Sequence, residues 1–278
     1  MPERSTVTIN DLTFTIHQNG PADGPAVVLL HGFPQNSTEW EAVGERLATA
    51  GIRSIALDQR GYSPGARPDG VPNYQVSELV SDVVGLLDAL DLPTAHVAGH
   101  DWGAVITWQL VAHHPDRFLG AVPVSVPHPV AFAEALQTDP DQQQKSGYFQ
   151  LFRTEGKAEE ALLGNDAAFL RGIFTGLDPA HIQAYVDQMS APGALTAALS
   201  WYRAMDLSSR EPFPEITNPI TFVWGSADIA LGRVAAENTA SKVAGPYEFI
   251  ELDGVDHWVP ERAPEAVADA IIKQIKTS

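Results

Sequence analysis

Short apolar runs alternate with longer stretches of helical periodicity along most of the chain. Ala26 to Leu30 reads Ala-Val-Val-Leu-Leu, apolar without interruption, which is the pattern of a strand covered on both faces. Ser54 to Leu57, His96 to Ala98, Ala121 to Val126, Ile220 to Trp224 and Tyr247 to Leu252 give five further strands. Between them, Thr38 to Ala50, Val76 to Leu90 and Ala104 to His114 predict helices. Ala263 to Lys276 predicts a last, amphipathic helix with its basic residues in the final turns, where the helix dipole favours them. Strand and helix in alternation define an α/β protein, with a mainly parallel sheet and helices on its faces.

The alternation stops after Pro129. From there to about Arg210 the pattern is helical only. Asp178-Pro179 pairs a favoured N-cap with proline at the first helical position. Leu195, Leu199, Tyr202 and Met205 recur at helical spacing. The stretch Glu211-Pro212-Phe213-Pro214 then marks the return to strand and helix in alternation. The expected organisation is one α/β core built from residues 1–130 and 212–278, with a helical cap, 131–211, inserted into it. A length of 278 residues suits a single domain with such an insertion.

Composition narrows the function classes. Hydrophobic residues make up 44% of the chain and charged residues 19%, as in globular proteins. A net charge of −18 makes nucleic acid and anionic membrane surfaces poor partners. The absence of cysteine excludes disulfides, thiolate catalysis and cysteine-ligated metals. Met1 to Asn10 lacks the apolar run of a signal peptide, and no stretch reaches the ~20 apolar residues that span a bilayer. A cytoplasmic protein acting on a small apolar molecule is expected, with monomer and homodimer both open.

The chemistry sits at strand ends. His96-Val97-Ala98 runs into Gly99-His100-Asp101-Trp102-Gly103, and a helix follows. Strand, Gly-x-nucleophile-x-Gly, helix is the nucleophile elbow of the α/β-hydrolase fold. The turn is so tight that the positions two before and two after the nucleophile must be small. An isolated Asp101 there would read as a helix N-cap. Three other segments give it a catalytic setting. His31-Gly32-Phe33-Pro34 follows the Ala26–Leu30 strand, where this fold places an oxyanion donor. The backbone amides of Phe33 and Trp102 are the candidate donors. Asp228 lies just past the Ile220–Trp224 strand, and His257 just past Tyr247–Leu252. The order Asp101, Asp228, His257 is the nucleophile–acid–histidine order of this fold.

Two other constellations carry less. Gly61-Tyr62-Ser63-Pro64-Gly65 imitates a serine elbow, but Pro64 has no N–H to donate and no helix follows, so Ser63 is expected in a loop near the mouth of the site. His113 and His114 are adjacent on a helix, so they point different ways and make no metal pair. No metal and no cofactor are expected.

A carboxylate is a feeble nucleophile toward acyl carbon but adequate for displacement at saturated carbon. The product would be an alkyl ester on Asp101. His257, oriented by Asp228, would then activate the water that hydrolyses it. A halide leaving group needs donors that cradle an ion. An epoxide oxygen stays attached and needs an acid such as a phenol. Of the six tyrosines in the chain, Tyr148 and Tyr202 fall in the insertion. Either could equally be packed core.

These residues together resemble the α/β-hydrolase-fold epoxide hydrolases of the soluble and microbial kind. The resemblance is carried by His31-Gly32-Phe33-Pro34, Asp58-Gln59-Arg60-Gly61-Tyr62, the Asp101 elbow, the loops of Asp228 and His257, and Trp201-Tyr202-Arg203. It extends to Tyr148 followed by Phe152 and then Glu155-Gly156-x-Ala-Glu159. It implies that Tyr148 and Tyr202 hold the epoxide oxygen, and that His31, Phe33 and Trp102 line the substrate. Aspartate-dependent dehalogenases are the alternative. Phe33 stands where haloalkane dehalogenases carry Asn, and Trp102 where haloacetate dehalogenases carry Arg, yet His31-Gly32-Phe33-Pro34-Gln35-Asn36 resembles the haloacetate group.

Overall fold

The computed structural model describes residues 3–206 and 212–277. Its eight strands are β1 (Glu3–Ile9), β2 (Leu12–Asn19), β3 (Ala26–Leu30), β4 (Arg53–Asp58), β5 (Ala95–His100), β6 (Phe118–Val124), β7 (Ile220–Gly225) and β8 (Tyr247–Leu252). They form one sheet in the order β1-β2-β4-β3-β5-β6-β7-β8. The β1–β2 and β2–β4 pairs are antiparallel and the rest are parallel. The chain leaves β3 toward one side to make β4, then returns past it to make β5. The crevice beyond the carboxyl ends of β3 and β5 is therefore a topological switch point, the place where open α/β sheets hold their ligands.

All six strands expected from the sequence are present, β3 and β8 with the bounds read there. The strand expected at 121–126 starts earlier, at Phe118, and ends at Val124, because Ser125 turns the backbone to φ +68°. The β1–β2 hairpin was not expected. Its residues alternate with Thr, Ser and Glu at the sheet edge, so no continuous apolar run announces it. Asn10 and Asp11, both at positive φ, make its two-residue turn.

A short turn, Ser37–Trp40, leads into α1 (Glu41–Thr49), and α2 (Val76–Ala89) and α3 (Trp102–His113) follow. Between β6 and β7 lie α4 (Pro129–Thr138), α5 (Pro140–Lys145), α6 (Tyr148–Phe152), α7 (Lys157–Ile173), α8 (Pro179–Ser190) and α9 (Ala194–Ala204). Among the described residues this stretch holds no named strand, and the expected end of the insertion near 211 lies outside them. After β7 come α10 (Arg233–Asn238), α11 (Val259–Arg262) and α12 (Pro264–Thr277). The Asp178 side chain accepts from Ala180 N at 2.7 Å, the cap read from the sequence. Met205, placed by periodicity on the α9 face, instead follows the helix in extended backbone.

Two cores cover the sheet. Trp40, Val43, Leu47, Val267 and Ile271, from α1, α12 and the turn before α1, close over Val27, Leu29, Val122 and Val223 on one face. The other core runs from α2 and α3 without a break into the inserted helices, through Phe152, Leu162, Phe174, Tyr185, Leu199 and Trp201. The inserted helices thus share the apolar interior that lies over the crevice. No helix of the described residues is long and apolar enough to cross a membrane.

Candidate active site

Asp101 occupies the break between β5 and α3 with φ +51° and ψ −118°. A non-glycine residue in that region is strained and persists only where its surroundings enforce it. The enforcement is steric. A Cβ on Gly99 would stand 2.1 Å from the Gly103 carbonyl oxygen, and a Cβ on Gly103 only 1.9 Å from that of Leu30. A third glycine matters equally: a Cβ on Gly32 would stand 2.3 Å from Cβ of Asp101. The small residue in the His31-Gly32 pair makes room for the aspartate itself.

Asp101, Asp228 and His257 converge. Oδ1 of Asp228 accepts from Ala230 N at 2.7 Å and Leu231 N at 2.9 Å, and its Oδ2 lies 2.9 Å from Nδ1 of His257. Asp228 can only accept, so Nδ1 carries a proton and Nε2 faces Asp101 Oδ2 at 3.4 Å. The Phe33 amide donates to Asp101 Oδ1 at 2.8 Å. All three side chains are buried. Burial opposes a charge on His257, but Asp228 and Asp101 on either side outweigh it and hold its pKa well above the usual imidazole range. Burial likewise opposes ionisation of Asp101, and the hydrogen bond and charge of His257 overcome it, so its carboxyl sits lower than usual. At rest the site is a buried imidazolium between two carboxylates.

Tyr202 on α9 and Tyr148 at the start of α6 lie with ring centres 6.1 Å apart. Edge-on contacts place Tyr202 5.1 Å from Trp102 and 5.3 Å from Phe33. Burial, and then the charge of Asp101 among its neighbours, push both phenols well above their usual range; a hydrogen bond between the two acts the other way on Tyr148. Both hydroxyls therefore keep their protons, and both lie near enough to Asp101 for its charge to act on them. Phe33, Trp102, Phe149 and Phe152 complete an aromatic wall around them.

The segments flanking these tyrosines form their mount. Arg153 donates to the carbonyls of Tyr202 at 2.7 Å and Met205 at 2.8 Å, tying α6 to the end of α9. Arg203 pairs with Glu159, whose carboxylate also accepts from Gly156 N. The Trp201 indole donates to the Arg60 carbonyl at 3.0 Å, and Arg60 forms a buried two-pronged ion pair with Asp82. The inserted helices are thereby latched to the loop after β4.

His31 and Ser63 both find their partners inside the protein. The ring of His31 is buried. Its Nε2 accepts from Gln59 N at 3.1 Å, so its Nδ1 donates to the Gly32 carbonyl at 2.9 Å, and both nitrogens are used inside the protein. Burial lowers its pKa to about 4, which keeps it neutral in that role. Ser63 is not at the mouth. It is wholly buried, accepts from Thr15 N at 2.8 Å and donates to the Asp58 carbonyl at 2.6 Å, stitching β2 to the loop after β4. No group of His, Asp and Glu among the described residues is arranged to hold a metal ion.

Several participants escaped the sequence reading. Gln142 of α5 accepts from Gly232 N at 2.7 Å, and Lys145 donates to the Asp228 carbonyl at 2.7 Å, so α5 braces the loop of the acid. His100 and Glu39 lie behind His257, with Glu261, Gln35 and Tyr185 beyond them. His100 stands in the elbow motif, but nothing in the sequence pairs it with Glu39, 61 positions earlier.

A parallel sheet with a nucleophile elbow at its switch point defines the class, and the alpha/beta hydrolase fold family matches residues 25–264. The chain belongs to that family and, within it, groups with the epoxide hydrolases. It is 32% identical over 280 residues to the Bacillus subtilis AB hydrolase superfamily protein YfhM, covering 97% of this chain and 96% of that one. It is 30% identical over 315 residues to the Mycobacterium tuberculosis epoxide hydrolase A, covering 98% and 97%. The crystal structure of epoxide hydrolase A from Mycobacterium thermoresistibile superposes with a TM-score of 0.88 at 28% identity, over 99% of this chain and 98% of that chain.

Proposed function

We propose that the protein hydrolyses small apolar epoxides to vicinal diols through a covalent ester on Asp101, with no cofactor. The observation that carries the reading is a buried aspartate facing a His–Asp pair on one side and two protonated phenols on the other. Oδ2 of Asp101 attacks a ring carbon and the C–O bond of the epoxide breaks. The departing oxygen takes up negative charge, which Tyr148 and Tyr202 receive as hydrogen-bond donors before one of them gives up its proton. The attack consumes the charge of Asp101, so the groups it had held protonated become easier to deprotonate: the phenols when the alkoxide needs a proton, and His257 when the ester needs a base.

In net terms the Nε2 proton of the His257 imidazolium first goes to the phenolate left by ring opening, which restores the tyrosine; the neutral Nε2 then takes a proton from water, and the hydroxide attacks Cγ of the ester. Negative charge develops on Oδ1, at which the Phe33 amide already points from 2.8 Å. The Trp102 amide, at the head of α3, is the second donor in this reading. Collapse breaks the bond from Cγ to the alkyl oxygen; the imidazolium gives that oxygen its proton and the diol leaves, and the acid proton left on Asp101 returns to His257, restoring the carboxylate and the imidazolium. Residues 131–211 serve as the lid that carries the acids and the aromatic wall.

The test is diol formation from aryl and alkyl epoxides by the purified chain, with Asp101→Ala, Tyr202→Phe and His257→Gln alongside. Diol from wild type is expected, with none from Asp101→Ala, a large loss in Tyr202→Phe, and a substrate-mass adduct trapped in His257→Gln. Halide release from a haloalkane and haloacetate panel, with no diol from any epoxide, would assign the same aspartate to dehalogenation instead.

A further inference from the structure

We infer that Glu39 is a positioning residue for the general base: as a neutral carboxylic acid it donates to His100, which in turn holds the backbone of His257. The inference rests on the hydrolytic role of His257 given above.

His100 and Glu39 are both essentially without solvent contact. Nε2 of His100 lies 2.8 Å from the carbonyl oxygen of His257. A carbonyl can only accept, so Nε2 carries a proton. Nδ1 of the same ring lies 3.2 Å from Oε2 of Glu39. One proton must sit between these two atoms. It belongs either to an imidazolium beside a carboxylate or to a neutral acid beside a neutral imidazole.

The surroundings select the neutral pair. The ring of His257, a cation at rest, is centred 4.9 Å from that of His100, which disfavours a second cation. Glu39 faces the carboxylate of Asp101, the carboxyl of Glu261 and the phenols of Tyr62 and Tyr185, with His257 as the counter-charge. Oε1 of Glu39 is buried with no hydrogen-bond donor. The carbonyl oxygen of a neutral acid tolerates that far better than an oxygen bearing half a negative charge. Burial acts in the same direction on both partners, raising Glu39 and lowering His100 to about 4.

The consequence is twofold. The chain Glu39–His100–His257, with Ser125 Oγ donating to the same carbonyl at 3.2 Å, fixes the backbone from which the general base projects. A neutral Glu39 also withholds a further negative charge from His257. An ionised one would keep His257 protonated after the Asp101 charge has been consumed, when it must act as a base.

The experiment quenches single turnovers of an epoxide by the full chain, and follows formation and loss of the Asp101 ester by intact mass across pH. Wild type, Glu39→Gln and Glu39→Ala are compared. Glutamine is neutral, and its NH2 group can still donate to Nδ1. Glu39→Gln should therefore hydrolyse the ester near the wild-type rate and lose the alkaline decline that ionisation of Glu39 gives the wild type. Glu39→Ala should slow ester hydrolysis about ten- to a hundred-fold, more than it slows ester formation, so that the adduct accumulates. Glu39→Gln as slow as Glu39→Ala would mean that a carboxylate is needed, and would overturn the inference. So would an unchanged alkaline decline in Glu39→Gln, or wild-type hydrolysis in Glu39→Ala. If Glu39→Ala does not fold, Glu39→Gln and its pH profile decide alone. If wild type forms no ester at all, it is the proposed function that fails.

Discussion

Replacing Glu261 by glutamine should change the pH dependence of stability while leaving the fold intact. Glu261 sits on α11, four residues past His257. Its Oε1 accepts from Gln35 Nε2 at 2.5 Å and from the Tyr185 hydroxyl at 3.0 Å, and its Oε2 is buried without a partner. Burial, followed by the neighbouring Glu39, pushes its pKa up from the model-compound value of 4.5 to about 8. The folded state therefore keeps a proton that the unfolded state releases. Stability from this group is fully present below about pH 4.5, is lost progressively as pH rises through about 8, and is level above that. A shift of about 3.5 units at 1.36 kcal/mol each sets a ceiling of about 5 kcal/mol. Part of the Glu261 side chain reaches solvent, so screening lowers the expected loss to about 3 kcal/mol, or roughly 6–12 °C in the thermal midpoint for a chain of this size. Glutamine has no proton to lose, and its NH2 group falls where Oε2 lacks a partner. Thermal midpoints by circular dichroism at half-unit steps from pH 5 to 9 should coincide for the two proteins at the acid end, with the variant increasingly the more stable toward pH 9. Two parallel curves would refute the reasoning, because they would mean that Glu261 is ionised in the folded protein as in the unfolded one.

Other perturbations act nearer the chemistry. Gly32→Ala should abolish diol formation, since its Cβ would stand 2.3 Å from Cβ of Asp101; activity with near-normal far-ultraviolet dichroism would show that the elbow can shift. Arg153→Ala removes both hydrogen bonds at the end of α9 and should lower kcat/KM by about tenfold, with a smaller effect on the thermal midpoint. Asp228→Asn should lower kcat by on the order of 10⁴. It should also bring the His257 pKa down, measurable by imidazole proton NMR, because Asp228 is the largest of the influences that raise it.

Much of the fold was legible because buried parallel strands leave an unbroken apolar signature. β3, with all five residues buried, could be read to the residue. The β1–β2 hairpin was missed because β1 lies at the sheet edge and the buried part of β2, Phe14 to Ile16, is interrupted by Thr15, so neither strand shows an unbroken apolar run. The triad was legible for a different reason. The elbow is sterically so demanding that Gly99 and Gly103 betray it, and the fold's chain order then places Asp228 and His257. What stayed hidden depends on three-dimensional proximity without a local pattern. Glu39 meets His100 across 61 positions, Arg60 meets Asp82 across 22 and Gln35 meets Glu261 across 226. The partners of His31 stayed hidden for the same reason. The ring's part in the fold, donating to its neighbour's carbonyl and accepting from Gln59, is invisible without coordinates.

One electrostatic arrangement joins the two halves of the proposed reaction. The carboxylate of Asp101 raises the proton affinity of Tyr148, Tyr202 and His257 at once. Before attack, all three hold protons: the phenols are competent acids and the imidazole is unable to act as a base. Alkylation removes that single charge. Two changes follow without any movement of the chain, because the same loss weakens the hold on the phenolic protons and on the imidazolium. The histidine becomes a base only after there is an ester to hydrolyse. Asp228, still charged and held by the amides of Ala230 and Leu231, remains to stabilise the imidazolium that then re-forms. A serine in place of Asp101 carries no such charge to lose, so this ordering of acid before base follows from the aspartate at the elbow.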